Sequence, residues 1–379
     1  YFESDWLYHV ILPNLKAESR YIYSISVDKA SFDESMTTAL LAQRRLSQQV
    51  AETPTLSFQT PPLRGSPTTI ALLGDLGQTI ESTMTMTLIY RATLGLLNKH
   101  PVSLVMIVGD MSYADSDPHR WTRWFDLMEP LFQRLPLHVA AGNHEIECDK
   151  TTHLPFTPYE YYFSNPNRIQ PADIQPVPSL SMDLLQGKVL HYNYGNSFYA
   201  YNHGLMKMVV LNSYTHSQAG SVQYKWLERE LKKTNRSHTP WLVVSFHSPI
   251  YNTFSDHVDE TQAVEMKDAM EELFVQYKVN MVISGHCHAY MRTRGVAFDK
   301  VDKKGPVYII VGAGGNREGH ASGYQHEKPE KWIAKRDDKE FGFGRLHFRN
   351  ATHAKWSWVR DGTVPDGIRD NVWIVNPHV

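Results

Sequence analysis

A chain of 379 residues, 42% hydrophobic and 21% charged, is long enough for one large or two unequal domains with filled cores. A formal net charge of −2 without a long basic run removes the electrostatic case for nucleic acid, and no apolar stretch approaches the ~20 residues of a membrane span. Two cysteines, Cys148 and Cys287, exclude a disulfide scaffold and read as free thiols, whereas nineteen histidines are a supply of metal ligands and acid–base groups.

Taken in order, residues 1–65 read as a small, incomplete all-β domain. Residues 21–27 alternate like a half-buried strand, 56–60 form its last strand, and 39–52 are expected to be a short helix or exposed insertion. Pro61-Pro62 is a stiff linker. Residues 66–379 then read as one larger domain, in which strands and helices alternate. Strands are expected at 69–75, 104–110, 137–141, 241–247 and 279–286, with helices at 85–100, 121–135, 221–233 and 261–277. A strand pair is expected at 197–201 and 206–211, and further β structure at 306–311 and 355–359. Trp121, Trp124 and Trp226 are expected in the core. The Pro- and Asn-rich run 148–190 reads as an irregular loop on a site rim. His153, His191, His203 and His216 are further rim candidates without an assigned role.

Five of these strands end in polar clusters: Asp75, Asp110 with Tyr113, Asn143-His144, His247, and His286-Cys287-His288. Each cluster alone has a plain structural reading, as an Asx turn, a left-handed turn residue, a buried aromatic or a helix cap. Together, at the carboxyl edge of a parallel sheet, they can converge on one site. Carboxylates, a phenol, an amide oxygen and imidazoles suit hard or borderline metals, and Asp110, with two oxygens, can bridge two ions.

The motifs Gly-Asp-Leu-Gly at 74–77, Gly-Asp-Met-Ser-Tyr at 109–113, Gly-Asn-His-Glu at 142–145, Val-Ser-Phe-His at 244–247 and Gly-His-Cys-His at 285–288 resemble the ordered motifs of purple acid phosphatases, within the calcineurin-like metallophosphoesterases. The resemblance implies an α/β fold, a β-sandwich of two mixed sheets flanked by helices. Residues 1–65 are similar to later strands of the fibronectin-III-like domain that precedes it in plant and fungal members. It also implies Fe³⁺ on Asp75, Tyr113 and His288, a divalent ion (Zn²⁺, Mn²⁺ or Fe²⁺) on Asn143, His247 and His286, and Asp110 between them. Position 77 is Gly, where the resemblance puts the histidine of the wider superfamily's Asp-x-His, and Tyr113 can fill that gap as a phenolate.

The implied reaction is hydrolysis of small phosphomonoesters, with phytase-like broad specificity, by in-line attack of hydroxide held by the metals. His144 is implied to bind phosphate. His257 is implied to act as leaving-group acid, with Asp256 beside it where the family has a second histidine. Two other readings remain open at this stage: a phosphodiesterase or nucleotidase of the same superfamily, and a non-catalytic glycoprotein on the same fold. The sequons at Asn235 and Asn350, with a first residue other than Met, fit a processed glycoprotein that is secreted or vacuolar/lysosomal. Neither a nucleic-acid nor a membrane partner is expected.

Overall fold

The computed structural model describes residues 7, 9–25, 55–149, 153–166, 188–362 and 370–379. The expected helix at 39–52 lies outside these residues. Of 1–65, the described part includes an antiparallel ribbon, β1 (Arg20–Tyr23) on β2 (Leu56–Gln59). Strands β3 (Thr68–Leu73), β4 (Leu104–Ile107) and β5 (Leu137–Val139) follow as parallel neighbours. Helices α1 (Ile80–Thr93) and α2 (Pro118–Phe132) connect them.

The expected loop 148–190 contains a short helix, α3 (Thr157–Tyr162), and residues 167–187 lie outside the described set. The hairpin β6 (Tyr199–His203) and β7 (Met206–Val210) comes next, turning at Gly204. Helix α4 (Val222–Lys232) leads to β8 (Trp241–Ser245), and α5 (Thr261–Gln276) leads to β9 (Met281–Ser284). Strands β10 (Tyr290–Ala297), β11 (Lys300–Val301), β12 (Val307–Val311) and β13 (Ile333–Asp337) complete one sheet. The last three, β14 (Gly342–Phe348), β15 (His353–Arg360) and β16 (Asn371–Val375), return to the first.

One sheet runs β16-β15-β14-β3-β4-β5; the other runs β11-β10-β12-β9-β8-β7-β6, with β13 added to β10. Their faces explain the unbroken apolar runs. Ile70, Leu72, Leu104 and Met106 meet Val243, Met281 and Ile283 between the sheets. The alternate residues Ala71, Leu73, Val105 and Ile107 pack against Met86, Ile89, Trp121 and Trp124 on the outer side. Leu242, Val244 and Val282 likewise pack against Met266, Met270 and Phe274 of α5. A strand buried on both faces reads as continuously hydrophobic. The result is helix, sheet, sheet, helix, as the expected fold class states.

Helices α4 and α5 lie within a residue of the expected ranges; the boundaries of α1 and α2 differ, and the caps give the reason. Helix α1 starts five residues earlier than the expected 85 because Thr79 and Ser82 form a reciprocal capping box. It ends at Thr93, before Gly95 at φ +73°, which leaves Leu96, inside the expected helix range, exposed beyond the helix end. Helix α2 starts at Pro118 behind the cap Asp117, where a proline at the first position costs no hydrogen bond. Trp121 and Trp124 are fully buried, and Trp226 packs at the core margin. Cys148 and Cys287 are both free.

Candidate metal centre

The carboxyl ends of β3, β4 and β5 from one sheet meet those of β8 and β9 from the other, so ligand positions up to 213 residues apart share one buried cleft. The loops there are sewn together by main-chain bonds, Asp75 N–H to Gly109 O at 3.1 Å and Gly285 N–H to His247 O at 2.9 Å. Asp75, Asp110, Tyr113 and His286 all have positive φ, between 51° and 68°. Such backbone is costly for non-glycine residues and persists only where the surroundings impose it, typically at functional sites. Gly142 must lack a side chain, since a Cβ there would overlap the Asp110 carboxylate.

The expected ligands come together in two overlapping groups. His247 Nε2 lies 3.0 Å from Asp110 Oδ2, 3.2 Å from Asn143 Oδ1 and 3.9 Å from Asp75 Oδ1. Its Nδ1 bonds Val108 O at 2.8 Å, which leaves Nε2 facing the centre. Tyr113 Oη stands 3.0 Å from His288 Nε2 and 3.4 Å from Asp75 Oδ1, and His288 Nε2 is 3.6 Å from the same carboxylate oxygen. Ligand atoms of Asp110, His247 and His286 lie within 4.8 Å of one another. Gly77 sits at φ +66°, with Asn316 Cα 3.0 Å from where a Cβ would be. A histidine does not fit there on this backbone, and the phenol occupies the neighbourhood of Asp75 instead.

The electrostatics suit cations. Asp75 and Asp110 are both fully buried. Burial, then Asp110 as a like charge, outweighs His247 and holds Asp75 well above the usual carboxylate range. Burial pushes Asp110 up as well, but His247 and His144 pull it below that range. His247 is lowered by burial, yet Asp110 and Asp75 carry it up to about 10. Burial lowers His286 to about 4 and His288 to about 3, so both are neutral imidazoles, the form that ligates metals. Tyr113 is raised well above 10 by burial, then by Asp75 and Asp110, so a strong Lewis acid is needed to make it a phenolate. Two buried carboxylates, a phenol, an amide and neutral imidazoles, with no lysine or arginine bonded to either carboxylate among the described residues, fit a trivalent and a divalent ion.

His144 donates its backbone N–H to Asp110 Oδ1 at 2.9 Å, and its Nδ1 is 2.6 Å from Asp115 Oδ1. Burial lowers its pKa, but Asp110 and Asp115 outweigh that and carry it to about 9. His257 reaches the other side of the cleft, its ring centroid 3.7 Å from that of His286. Asp256 does not follow it. One of its oxygens accepts the Ser322 N–H at 2.7 Å and the other accepts the Ser322 hydroxyl, tying the 250–260 loop to the loop after β12. Of the rim histidines, His203 is buried on Ser103, whereas His191 and His216 pair with rings 4.6 Å apart.

Several residues at the site are absent from the expectation. Glu145 closes the third motif and accepts N–H bonds from Asp110, Met111 and Gly142 at 2.8–2.9 Å, locking two ligand loops. Tyr214 donates to Asn143 Oδ1 at 3.2 Å. The turn after β12, Gly-Gly-Asn-Arg-Glu-Gly at 314–319, is a sixth strand end on the same edge. It brings Asn316 onto Asp75 O at 3.0 Å, Arg317 onto Tyr113 O at 2.6 Å and Glu318 within 3.7 Å of His144 Nε2. Its glycine pairs and its place after a parallel strand are the signal that marks it.

Residues 68–290 match the family model described as calcineurin-like phosphoesterase, and 305–367 match that of iron/zinc purple acid phosphatase-like protein C. Probable purple acid phosphatase 20 of Arabidopsis thaliana is 36% identical over 327 residues, covering 86% of this chain and 69% of the relative. Fe(3+)-Zn(2+) purple acid phosphatase 12 of the same plant is 31% identical over 394 residues, covering 99% of this chain and 73% of the relative. Purple acid phosphatase PPD1 from yellow lupin seeds superposes with a TM-score of 0.70 at 19% identity, over 95% of this chain and 60% of that one, a likeness of fold. The chain therefore belongs to the purple acid phosphatases, a family of the calcineurin-like phosphoesterases.

Proposed function

We propose that the chain hydrolyses small phosphomonoesters at a dinuclear centre, with Fe³⁺ held by Asp75, Tyr113 and His288, a divalent ion held by Asn143, His247 and His286, and Asp110 shared between them. The observation that carries it is the buried Tyr113 hydroxyl, 3.0 Å from His288 and 3.4 Å from Asp75, beside a Gly77 that leaves no room for an imidazole. The Fe(3+)-Zn(2+) name of the Arabidopsis relative supports zinc as the divalent ion. When bound, the ions would supply positive charge at the phosphate and activate a water.

The chain's own groups complete the chemistry. His144, steered by Asp115, turns its Nε2 to a phosphate oxygen. His257, whose Nδ1 is 2.8 Å from Glu260 Oε1, has Nε2 left to protonate the departing alkoxide. Glu145 keeps the Asp110 and Gly142 loops from drifting apart. Asp256 serves the rim rather than the phosphate. We assign residues 1–65 to a partial fibronectin-III-like domain before a catalytic domain at 66–379, a reading that the β1–β2 ribbon supports. Secretion or vacuolar delivery is supported by Asn235 and Asn350, both exposed in turns where Ser237 and Thr352 donate to their side chains.

The test is a visible spectrum of the concentrated protein with metal analysis. A broad purple or pink band that vanishes in Tyr113→Phe, together with one iron and one divalent ion per chain, supports the reading. A colourless protein with two divalent ions and no iron refutes the ferric assignment.

A further inference from the structure

We propose that Glu260 positions the divalent half of the centre: its carboxylate holds His286 by Nε2, so that Nδ1 is the nitrogen offered to the ion, and the same carboxylate braces His257. This rests on the metal-centre reading above.

Glu260 occupies the N-cap position of α5, with extended backbone at φ −64° and ψ 140°. A side chain there ordinarily accepts a backbone N–H of the first turn. Glu260 makes no such bond. Its two oxygens are spent elsewhere, Oε2 on His286 Nε2 and Oε1 on His257 Nδ1, both at 2.8 Å. Gln262, two residues on, donates its amide to Glu260 Oε2 and reaches Ser248 Oγ at 3.4 Å, beside ligand His247. The helix thus gives up a capping interaction, and the carboxylate goes to the two imidazoles that face the cleft.

The two histidines of the divalent half are then held by opposite nitrogens. His247 is fixed through Nδ1 on Val108 O and presents Nε2. His286 is fixed through Nε2 on Glu260, and its backbone N–H is fixed on Asp75 Oδ2 at 2.9 Å. An imidazole that gives its outer N–H to a carboxylate is locked in tautomer and orientation and becomes a better donor at its inner nitrogen. Glu260 lies nearer solvent than the ligands, its side chain 29% exposed against 5% for His286, as expected of a support behind the ligand.

The experiment measures the divalent-ion dissociation constant by chelator competition in the full chain, with iron and the visible band followed separately. Glu260→Gln is expected to weaken Zn²⁺ retention about 10- to 100-fold while iron and the purple band stay. His257→Asn, which removes the other imidazole bonded to Glu260, is expected to stay within about threefold of the parent. Parent-like Zn²⁺ affinity in Glu260→Gln overturns the proposal, and so does equal loss of iron. A second Zn²⁺ per chain, lost in both variants, also overturns it, because Glu260, His257 and His286 would then be ligands of an ion of their own. If Glu260→Gln does not fold, Glu260→Asp is measured by the same criteria. A parent chain that binds no divalent ion refutes the metal-centre reading itself, a result distinct from the failure of Glu260 alone.

Discussion

Acid is expected to weaken this fold through two histidines outside the metal centre. His203 ends β6 and is buried, with Nε2 2.9 Å from Ser103 Oγ; His138 lies on β5 with its Nδ1 shielded from solvent and unpartnered among the described residues. Burial lowers His203 to about 4; burial and then the neighbouring His203 lower His138 to about 3. A free imidazole in the unfolded chain titrates near 6.5. The folded pKa values are depressed, so the unfolded chain takes up protons first as pH falls. The stability they contribute is therefore present above about pH 6.5 and is lost progressively towards pH 4.

At pH 5 the gap from 6.5 is about 1.5 units, and at about 1.4 kcal/mol per unit each histidine costs about 2 kcal/mol. That figure is insensitive to the folded value as long as it lies below about 4.5. The perturbation is His203→Gln, whose amide can still pair with Ser103 Oγ. Urea unfolding at pH 7 and pH 5 measures it, with the metal content of both proteins matched. The parent is expected to lose about 2 kcal/mol more than the variant over that interval. Equal losses would refute the reasoning, because His203 would then be protonated in the folded chain or mute in the unfolded one.

Gly142→Ala places a methyl group on the Asp110 carboxylate and is expected to expel the shared ligand, removing bound metal and lowering kcat at least about 100-fold, read by metal analysis and initial rates. Asp115→Asn removes the charge that steers His144 and is expected to raise KM for phosphomonoesters more than it lowers kcat, at unchanged metal content. Asp256→Ala releases Ser322 and is expected to cost about 1 kcal/mol of stability, with both ions retained. Loss of metal in that variant would mean that the Asp256–Ser322 tie, and not Glu260 alone, is needed to hold the ligands in place.

The positions that converge on the cleft were readable because each lies at or just beyond the end of an apolar strand run. A parallel sheet buried on both faces writes itself as Leu104–Ile107 or Met281–Ser284, and its carboxyl edge is where polar side chains can converge. Tyr113 beside Gly77 also stood out in the order of residues alone. The two-sheet arrangement and the free cysteines agree with that first reading. The starts of α1 and α2 did not follow from periodicity, because Thr79–Ser82 and Asp117–Pro118 set them through caps that an apolar count overlooks, whereas α4 and α5 lie within a residue of the expected ranges. The helix inside 148–190 was missed for a different reason, being six residues long without an apolar repeat.

Partnership is what the tertiary structure alone decided. Nothing in the order of residues says that Glu145 ties three backbone amides, that Asp256 turns to Ser322, or that Glu260 leaves its helix for two histidines. The 314–319 turn joins Asp75 and Tyr113 only because β12 lies beside β9 while β14 carries the chain back to β3. A chain writes its ligands locally, since strand-end chemistry depends on neighbours in sequence. The carboxylates that orient those ligands are chosen by proximity in space, which only the packed sheets supply.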